Sequence, residues 1–435
     1  MAERVVITGM GLVSPMGHDV ETVWQGLLTG KNGMNETTLF DASTFPTKFG
    51  AEVKDFDLAK VLKKPELHKD ALRGSAFVLG ACAEACKQAG IETETDAASD
   101  GVDRENMGIY LGAGEGAIDS GPFFKAIADA WNDEGREMDW EKWAQTAFGG
   151  MTAMRELEQE PNMPAGHLAV LTGARGPVRS CLTACAASTQ AVGEAAVMVR
   201  SGQADIMIAG GAHSMIHPLG VSGFSRLTAL STRNDSPETA SRPFSASRDG
   251  FVLGEGGAIV ILESLSSAKK RGAKILAEIT GFGSSADAFR VTDMHDEARG
   301  AVQALKAAMA DAGVGPEDID YICTHGTSTS ENDAVETKAV KKAFGEQAYN
   351  VPLSSPKSMM GHLIGATGCA ELIVCVQAMR DQTIPPTANL NDPDPELDLD
   401  YVPNEPRKAK LETVINESFG FGGQNNVIVL KKFAE

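Results

Sequence analysis

Short, almost wholly apolar runs alternate with segments of helical periodicity along this chain, and the same order occurs twice. In the first half the apolar runs are 4–16 (RVVITGMGLVSPM), 107–114 (MGIYLGAG), Asp205–Ala209 and the AIVILE run behind Glu255. In the second half they are ILAEITGFG, Ile319–Thr324, VPLSS and the closing hairpin ETVINESFGFGGQNNVIVLKKF. A strand without polar alternation has no face to offer water, so each such run must be covered on both sides. The covering segments are Ala71–Gly90, the small-residue helix after Cys185, 297–313, a helix beginning at Asn332 and GATGCAELIVCVQAMRD. Ser330-x-x-Asp333 reads as the cap of the helix at Asn332. Strands and helices in alternation specify an α/β fold. The short polar helix Ser264–Gly272 is the joint, dividing the chain into halves 1–265 and 266–435. Identity between the halves is too low to mark a repeat, but their shared order predicts a pseudo-duplicated molecule.

Composition narrows the function classes. Apolar content of 43% and charged content of 23% are those of a soluble enzyme, and no apolar run approaches the roughly 20 residues that cross a bilayer. The opening MAERVVITGMG enters a strand at once, leaving no room for a signal peptide. Seven cysteines without a CxxC pair predict neither a disulfide scaffold nor a zinc ribbon, and with them a cytoplasmic location. A net charge of −20 excludes nucleic acid and anionic membrane as main partners. Gly9-Met10-Gly11 suggests a dinucleotide turn, but no third glycine stands in register and no acidic residue closes a second strand, so no such cofactor is expected. Residues 115–165 differ in character: they hold Trp131, Trp140 and Trp143 in an acidic setting. One or two helices with an aromatic stripe are expected there, packed on the main body or a dimer mate, or covering a substrate pocket.

Cys185 stands where the extended run Val178–Thr183 turns into a helix with apolar positions Val192, Ala195, Ala196 and Val199. The unpaired N–H groups and dipole of a helix start favour a thiolate, the nucleophilic form of cysteine. Cys181, just upstream, reads as a structural residue. In the second half His325 follows an apolar strand in a Gly/Thr/Ser turn, and Lys357 and His362 lie in the loop before a helix. The glycine-dense turn Phe419-Gly420-Phe421-Gly422-Gly423 can bring backbone close to a ligand. A nucleophile, two imidazoles and a potential oxyanion pocket thus fall at strand ends, where α/β proteins build sites.

The segments TACAAS, CTHGTST, SPKSMMGHLIGATG and SFGFGGQN, with SRPFSASRDGFVLGEG and VVITGMGLVSPMG, resemble those of β-ketoacyl-acyl-carrier-protein synthases, in the Cys-His-His branch of synthases I and II and polyketide ketosynthases. The likeness covers nearly the whole chain and is weakest at 115–165. It implies a thiolase-like fold of two pseudo-symmetric αβαβα halves, a homodimer (or a heterodimer with a homologue), no cofactor, and a decarboxylating Claisen condensation using acyl and malonyl groups borne on acyl carrier protein. Cys185 would take the acyl chain, and His325 and His362 would stabilise the enolate left by decarboxylation. The N–H groups of Cys185 and Phe421, with Gly420 and Gly422 in the same turn, would hold an oxyanion, and Phe421 would act as a gate. Lys357, paired with Glu336, would orient the histidines, while Asp333 would be a helix cap.

The chain also departs from the family pattern. Pro356 precedes Lys357 where a threonine-like residue is usual, and Gln424 follows the glycines. Some members hold a cation near the second and fourth motifs, but Cys323 and Glu417 stand where Asn is usual, so no metal is expected. Thr228 occupies the place of a carrier-docking arginine, with Arg226 two residues earlier. Because acyl carrier protein is acidic and this chain is too, docking needs a local basic patch; Lys63, Lys64, Lys69 and Arg73 form the best one. The alternatives are a largely structural partner subunit and a Cys-His acyltransferase or hydrolase that releases no carbon dioxide. The presence of Cys185 sets the chain apart from chain-length-factor subunits, which lack the nucleophile.

Overall fold

The computed structural model describes residues 3–95, 98–113 and 118–434. The apolar runs become ten strands of one sheet, and the covering segments become helices. In chain order the first half contains β1 (Val5–Val13), α1 (Arg73–Ala89), β2 (Met107–Gly112), β3 (Val178–Cys181), α2 (Ala187–Arg200), β4 (Ile206–His213) and β5 (Gly256–Ser264). The second half contains β6 (Ala277–Ala286), α3 (Arg299–Ala312), β7 (Tyr321–Cys323), α4 (Ser330–Phe344), β8 (Leu353–Ser354), α5 (Thr367–Asp381), β9 (Thr413–Gly420) and β10 (Gln424–Lys431).

The duplication that the sequence only suggests is explicit in the topology. Strands of the first half lie in the order β3-β2-β4-β5-β1, and those of the second in the matching order β8-β7-β9-β10-β6. In each set the first three strands pair in parallel and the last two join antiparallel. The sets meet edge to edge where β1 pairs antiparallel with β6, Val5 opposite Ile279 and Ile7 opposite Ala277. The two halves are therefore joined by one continuous hydrogen-bonded order of ten strands.

Layering follows from which faces are apolar. α1 buries Phe77 and Leu79 against Ile109, Ile208 and Ile259 on one outer face. α3 and α4 cover the other outer face through Leu305, Val340 and Phe344 against Ile322, Ile415 and Val429. α2 and α5 lie between, in the largest apolar cluster, with Val192, Ala196, Cys369 and Ile373. Gly9 and Gly11 prove to be packing residues rather than a phosphate turn. A Cβ on Gly11 would fall 1.8 Å from the Ala81 carbonyl oxygen, so α1 rides directly on β1. At the centre, a Cβ on Gly368 of α5 would lie 1.8 Å from Thr189 Oγ1 of α2. Thr189 and Ser418 share a 2.6 Å hydrogen bond, and the Cys369 N–H donates to Ser188 Oγ at 3.0 Å. The two central helices are thereby locked to each other and to β9.

Two expectations need correction. The cap of α4 is Thr329, whose side chain accepts from the Asn332 N–H, whereas Asp333 is fully buried and accepts from the N–H groups of Phe244 and Ser328. The segment after β2 forms helices Ser120–Ala130, Trp140–Gly150 and Ala153–Leu157, with a small hairpin between the first two; 114–117 lie outside the described residues. Within one chain its stripe is only partly covered: Trp140 is 69% exposed and Trp131 46%, while Trp143 is half-buried.

Candidate active site

Three elements deliver the site. β3 runs into a single 3₁₀ turn, Ala184–Ala186, from which α2 continues without a side-chain cap. Ala184 adopts φ +46°, a left-handed conformation that a non-glycine residue takes only at a cost. This kink sets Cys185 at the mouth of the helix, buried to 6% exposure. β7 ends at Cys323, and His325 follows in the turn before α4. His362 lies in the loop between the helix Lys357–Met360 and the 3₁₀ turn Ile364–Ala366 that opens α5.

Cys185 Sγ and ring nitrogens of His325 and His362 all lie within 4.8 Å of one another. No other cluster of three His, Cys, Asp or Glu donors this tight occurs among the described residues. The imidazoles stand edge to face, centroids 5.4 Å apart, steadied by Phe419 beside His325 and Phe251 beside His362. All three side chains line one cavity of about 430 Å³, whose wall includes Phe251, Phe419, Gly420 and Phe421.

The protons can be assigned from partners. Lys357 Nζ, which can only donate, lies 3.5 Å from His325 Nδ1 and donates to the His325 carbonyl at 2.5 Å. His325 Nδ1 therefore presents its lone pair to the lysine, and Nε2 carries the proton toward the cavity. His362 Nδ1 is 3.0 Å from Thr367 Oγ1, and its buried Nε2 has no hydrogen-bond partner among the described residues. Burial, reinforced by the Lys357 charge, holds both imidazoles well below the ordinary histidine range, so both rings are neutral; Lys357 fixes the proton of His325, whereas Thr367 Oγ1 can either donate to His362 Nδ1 or accept from it.

Lys357 does not pair with Glu336. Its ammonium donates to Glu371 Oε1 of α5 at 2.5 Å, with both side chains buried. Glu336 instead accepts from the N–H groups of His325 (2.6 Å) and Gly326 (2.7 Å) and from Asn332 Nδ2 (3.1 Å). The reason is geometric: nearly two turns into α4, Glu336 faces back under the His325 turn, while Lys357 points across to α5. Burial pushes the Glu371 carboxyl up, and the Lys357 ammonium pulls it back toward the ionised form. Glu371 escapes a reading of motifs, yet it is the one charge within the apolar run CAELIVCVQAM, and a carboxylate on a fully buried helix needs a buried cation. Neither Lys357, Glu336 nor Glu371 lines the cavity; Lys357 and Glu336 contact His325 from outside it, and Glu371 holds Lys357.

The glycine turn divides its labour. Gly420 packs against the nucleophile turn, where a Cβ would meet the Thr183 carbonyl at 3.0 Å, and Phe421 is half-buried in the apolar cluster around Cys185. Gly422 contributes no oxyanion donor: its N–H is given to the Val291 carbonyl at 2.7 Å, and its φ of +88° serves the turn.

Of the basic residues, Arg226 is exposed at the end of helix Pro218–Arg226, directly before Leu227, Thr228 and Ala229 of the cavity rim. Lys63, Lys64 and Lys69 are exposed but contribute nothing to that rim. Arg73 is not a free surface cation: its guanidinium is held by the buried Glu255 carboxylate and the Val53 carbonyl. Arg73 also borders a separate cavity of about 360 Å³, together with Phe124 of the Trp-rich segment. The described residues of that segment supply no lining residue to the Cys185 cavity.

Residues 2–268 match the model of the beta-ketoacyl synthase N-terminal domain, and residues 276–391 that of the C-terminal domain. The chain belongs to the β-ketoacyl synthase family. It is 44% identical over 430 residues to 3-oxoacyl-[acyl-carrier-protein] synthase 2 of Coxiella burnetii, covering 99% of this chain and 98% of that one. Against the enzyme of the same name from Vibrio harveyi it is 42% identical, covering 99% of both. Among solved structures, a type II polyketide ketosynthase in complex with its acyl carrier protein superposes with a TM-score of 0.86 at 30% identity over the full length of both chains. A beta-ketoacyl synthase from Burkholderia phymatum superposes with 0.85 at 31%, covering 99% of this chain and 100% of that one. The fold is thus thiolase-like, as its ketosynthase neighbours are. As a β-ketoacyl synthase the chain is an acyl-transferring condensing enzyme, joining an acyl thioester to malonyl-acyl carrier protein. A mainly structural role as a partner subunit is not favoured.

Proposed function

We propose that Cys185 carries the acyl chain and that His325 and His362 together activate the malonyl thioester. The Cys185 thiolate attacks the acyl-carrier thioester, and the carrier leaves as its thiol. Malonyl-carrier then enters the cavity and loses carbon dioxide. The electron pair stays on the thioester as an enolate, whose oxygen accepts from the Nε2–H groups of the two neutral imidazoles. The carbanion attacks the acyl-Cys185 carbonyl, expelling the thiolate and leaving a β-ketoacyl-carrier. Lys357 and Glu336 position the rings, and Phe421 swings to admit each substrate. The observation that carries this reading is the convergence of one sulfur and two ring nitrogens within 4.8 Å on one cavity wall. Intact-mass measurement after incubation with acyl-carrier protein tests it: the acyl increment should sit on Cys185 and vanish in Cys185→Ala. Label on any other residue refutes the assignment.

The carrier docks, in this reading, at the rim marked by Arg226, with Lys63, Lys64 and Lys69 as a second contact set. Reversal of Lys63 and Lys64 to Glu should slow carrier-dependent transfer and spare transfer from a small acyl thioester. A homodimer is supported by β3, an edge strand of the sheet, with Val178 and Leu182 about half exposed beside it. The halves are bounded in this reading near residues 265 and 266. A cytoplasmic setting agrees with seven cysteines of which none is in a disulfide.

A further inference from the structure

Behind the histidines lies a cluster that the reaction scheme does not use. Glu417 of β9, Glu336 of α4 and Glu371 of α5 are all buried to 1% exposure or less. Lys357 is their one ammonium partner, and it is committed to Glu371. Three ionised carboxylates against one lysine would bury a net double negative charge, at a cost no fold bears unaided.

The donors decide which carboxyl is neutral. Glu336 receives three N–H groups, from His325, Gly326 and Asn332. Glu371 receives the Lys357 ammonium. Neither oxygen of Glu417 receives any donor among the described residues, and its carboxyl stands against that of Glu336. Two carboxyl groups in such contact must share a proton. The group poorest in donors keeps it.

We propose that Glu417 is held as a neutral carboxylic acid whose O–H donates to the Glu336 carboxylate, making it a positioning residue for His325. This rests on the reading that His325 polarises the malonyl thioester. The groups facing Glu417 all favour its neutral form. Glu336 and Glu371 repel a charge there, and from β7 Cys323, with Tyr321 beside it, offers an acidic rather than a cationic neighbour. Burial adds to the same effect. With its fourth donor in place, Glu336 stays ionised and grips the two N–H groups that aim the His325 ring. Glu417 lies in register opposite Val427 of β10, so no water-facing route supplies a substitute donor from that strand.

Infrared difference spectroscopy of the resting enzyme, wild type against Glu417→Gln, tests this directly. A protonated-carboxyl carbonyl band, shifted in D₂O, should appear in the wild type and be missing in the variant. The Gln amide can replace the O–H as donor, so Glu417→Gln should keep most of the activity that Glu417→Ala loses. In Glu417→Ala, kcat for malonyl-carrier decarboxylation should fall about tenfold or more, as expected for a lost hydrogen bond to a charged group, with KM unchanged. The wild type should also lose activity in alkaline solution as Glu417 ionises, and Glu417→Gln should lack that limb. Absence of the band overturns the proposal, as does a Gln variant as impaired as the Ala variant. A stoichiometric potassium or sodium ion required for activity overturns it too, because an ion would then neutralise the cluster. Acylation of Cys185, followed by mass in the same samples, is independent of this proton. Its failure in the wild type would refute the reaction scheme and leave the infrared result standing.

Discussion

The two central helices begin with the same backbone device and put it to opposite uses. α2 is entered through Ala184 at φ +46° and a 3₁₀ turn, and α5 through Ile364 at φ +42° and a 3₁₀ turn. Counting from those kinks, Cys185 and Gly365 occupy equivalent places. The first half puts sulfur at the helix mouth and brings no imidazole to the cluster. The second leaves that place bare and puts His362 just ahead of the kink and His325 on a neighbouring strand end. A duplicated scaffold thus yields one composite site: each copy supplies the same fixed geometry, and each is filled with different chemistry. The strain at the kinks is held by the surrounding sheet in both halves, so it belongs to the scaffold rather than to catalysis.

Five measurements would break or sharpen that comparison. Cys185→Ala should lower condensation by on the order of 10⁴-fold or more, because nothing at the equivalent Gly365 can replace the nucleophile. His325→Ala and His362→Ala should each lower malonyl-carrier decarboxylation by roughly 10²- to 10³-fold while acyl transfer to Cys185 persists. Equal loss in both steps would show that the halves do not divide the chemistry. The pH profile of decarboxylation in the wild type carries a sign of its own. Burial depresses both imidazoles, so they remain neutral at and below the pH of about 6.5 where a free histidine gains its proton. The rate should hold as the pH falls from about 8 to about 6, and a midpoint near 6.5 lost in His362→Gln would mean a solvated ring. Gly368→Ala, forced onto Thr189, should cost about 1–3 kcal/mol in denaturant unfolding and reduce kcat with it. Gly365→Ala should change stability by less than about 1 kcal/mol, since its Cβ would meet nothing closer than 3.5 Å, and should leave Cys185 acylation intact.

The convergence of Cys185, His325 and His362 was foreshadowed in sequence, because Cys185 and His325 each follow an extended run among small residues and His362 stands in the loop that leads into a helix. The layered α/β order was legible from runs too apolar to face water. The ion pairing behind the site was not. Glu336 and Glu371 both stand on helices that follow strands near Lys357, and only the placement of α4 on the outer face and α5 in the central layer decides that Glu371 takes the lysine while Glu336 takes two backbone N–H groups. Gly422 misled because density of glycine marks a tight turn before it marks a ligand site. The aromatic stripe of Trp131, Trp140 and Trp143 was visible, but its partner was not, since periodicity shows that a face is apolar and says nothing of what meets it.

The contact at Gly368 has a consequence for substrate entry. Thr189, Ser188 and Ser418 tie α2, α5 and β9 together within a few ångströms of the reacting groups. A molecule pinned there has no hinge between its nucleophile and its imidazoles, so it cannot open by parting its halves. An acyl chain must instead pass individual side chains of the cavity wall, Phe421 among them, whose rotations are faster than any domain motion.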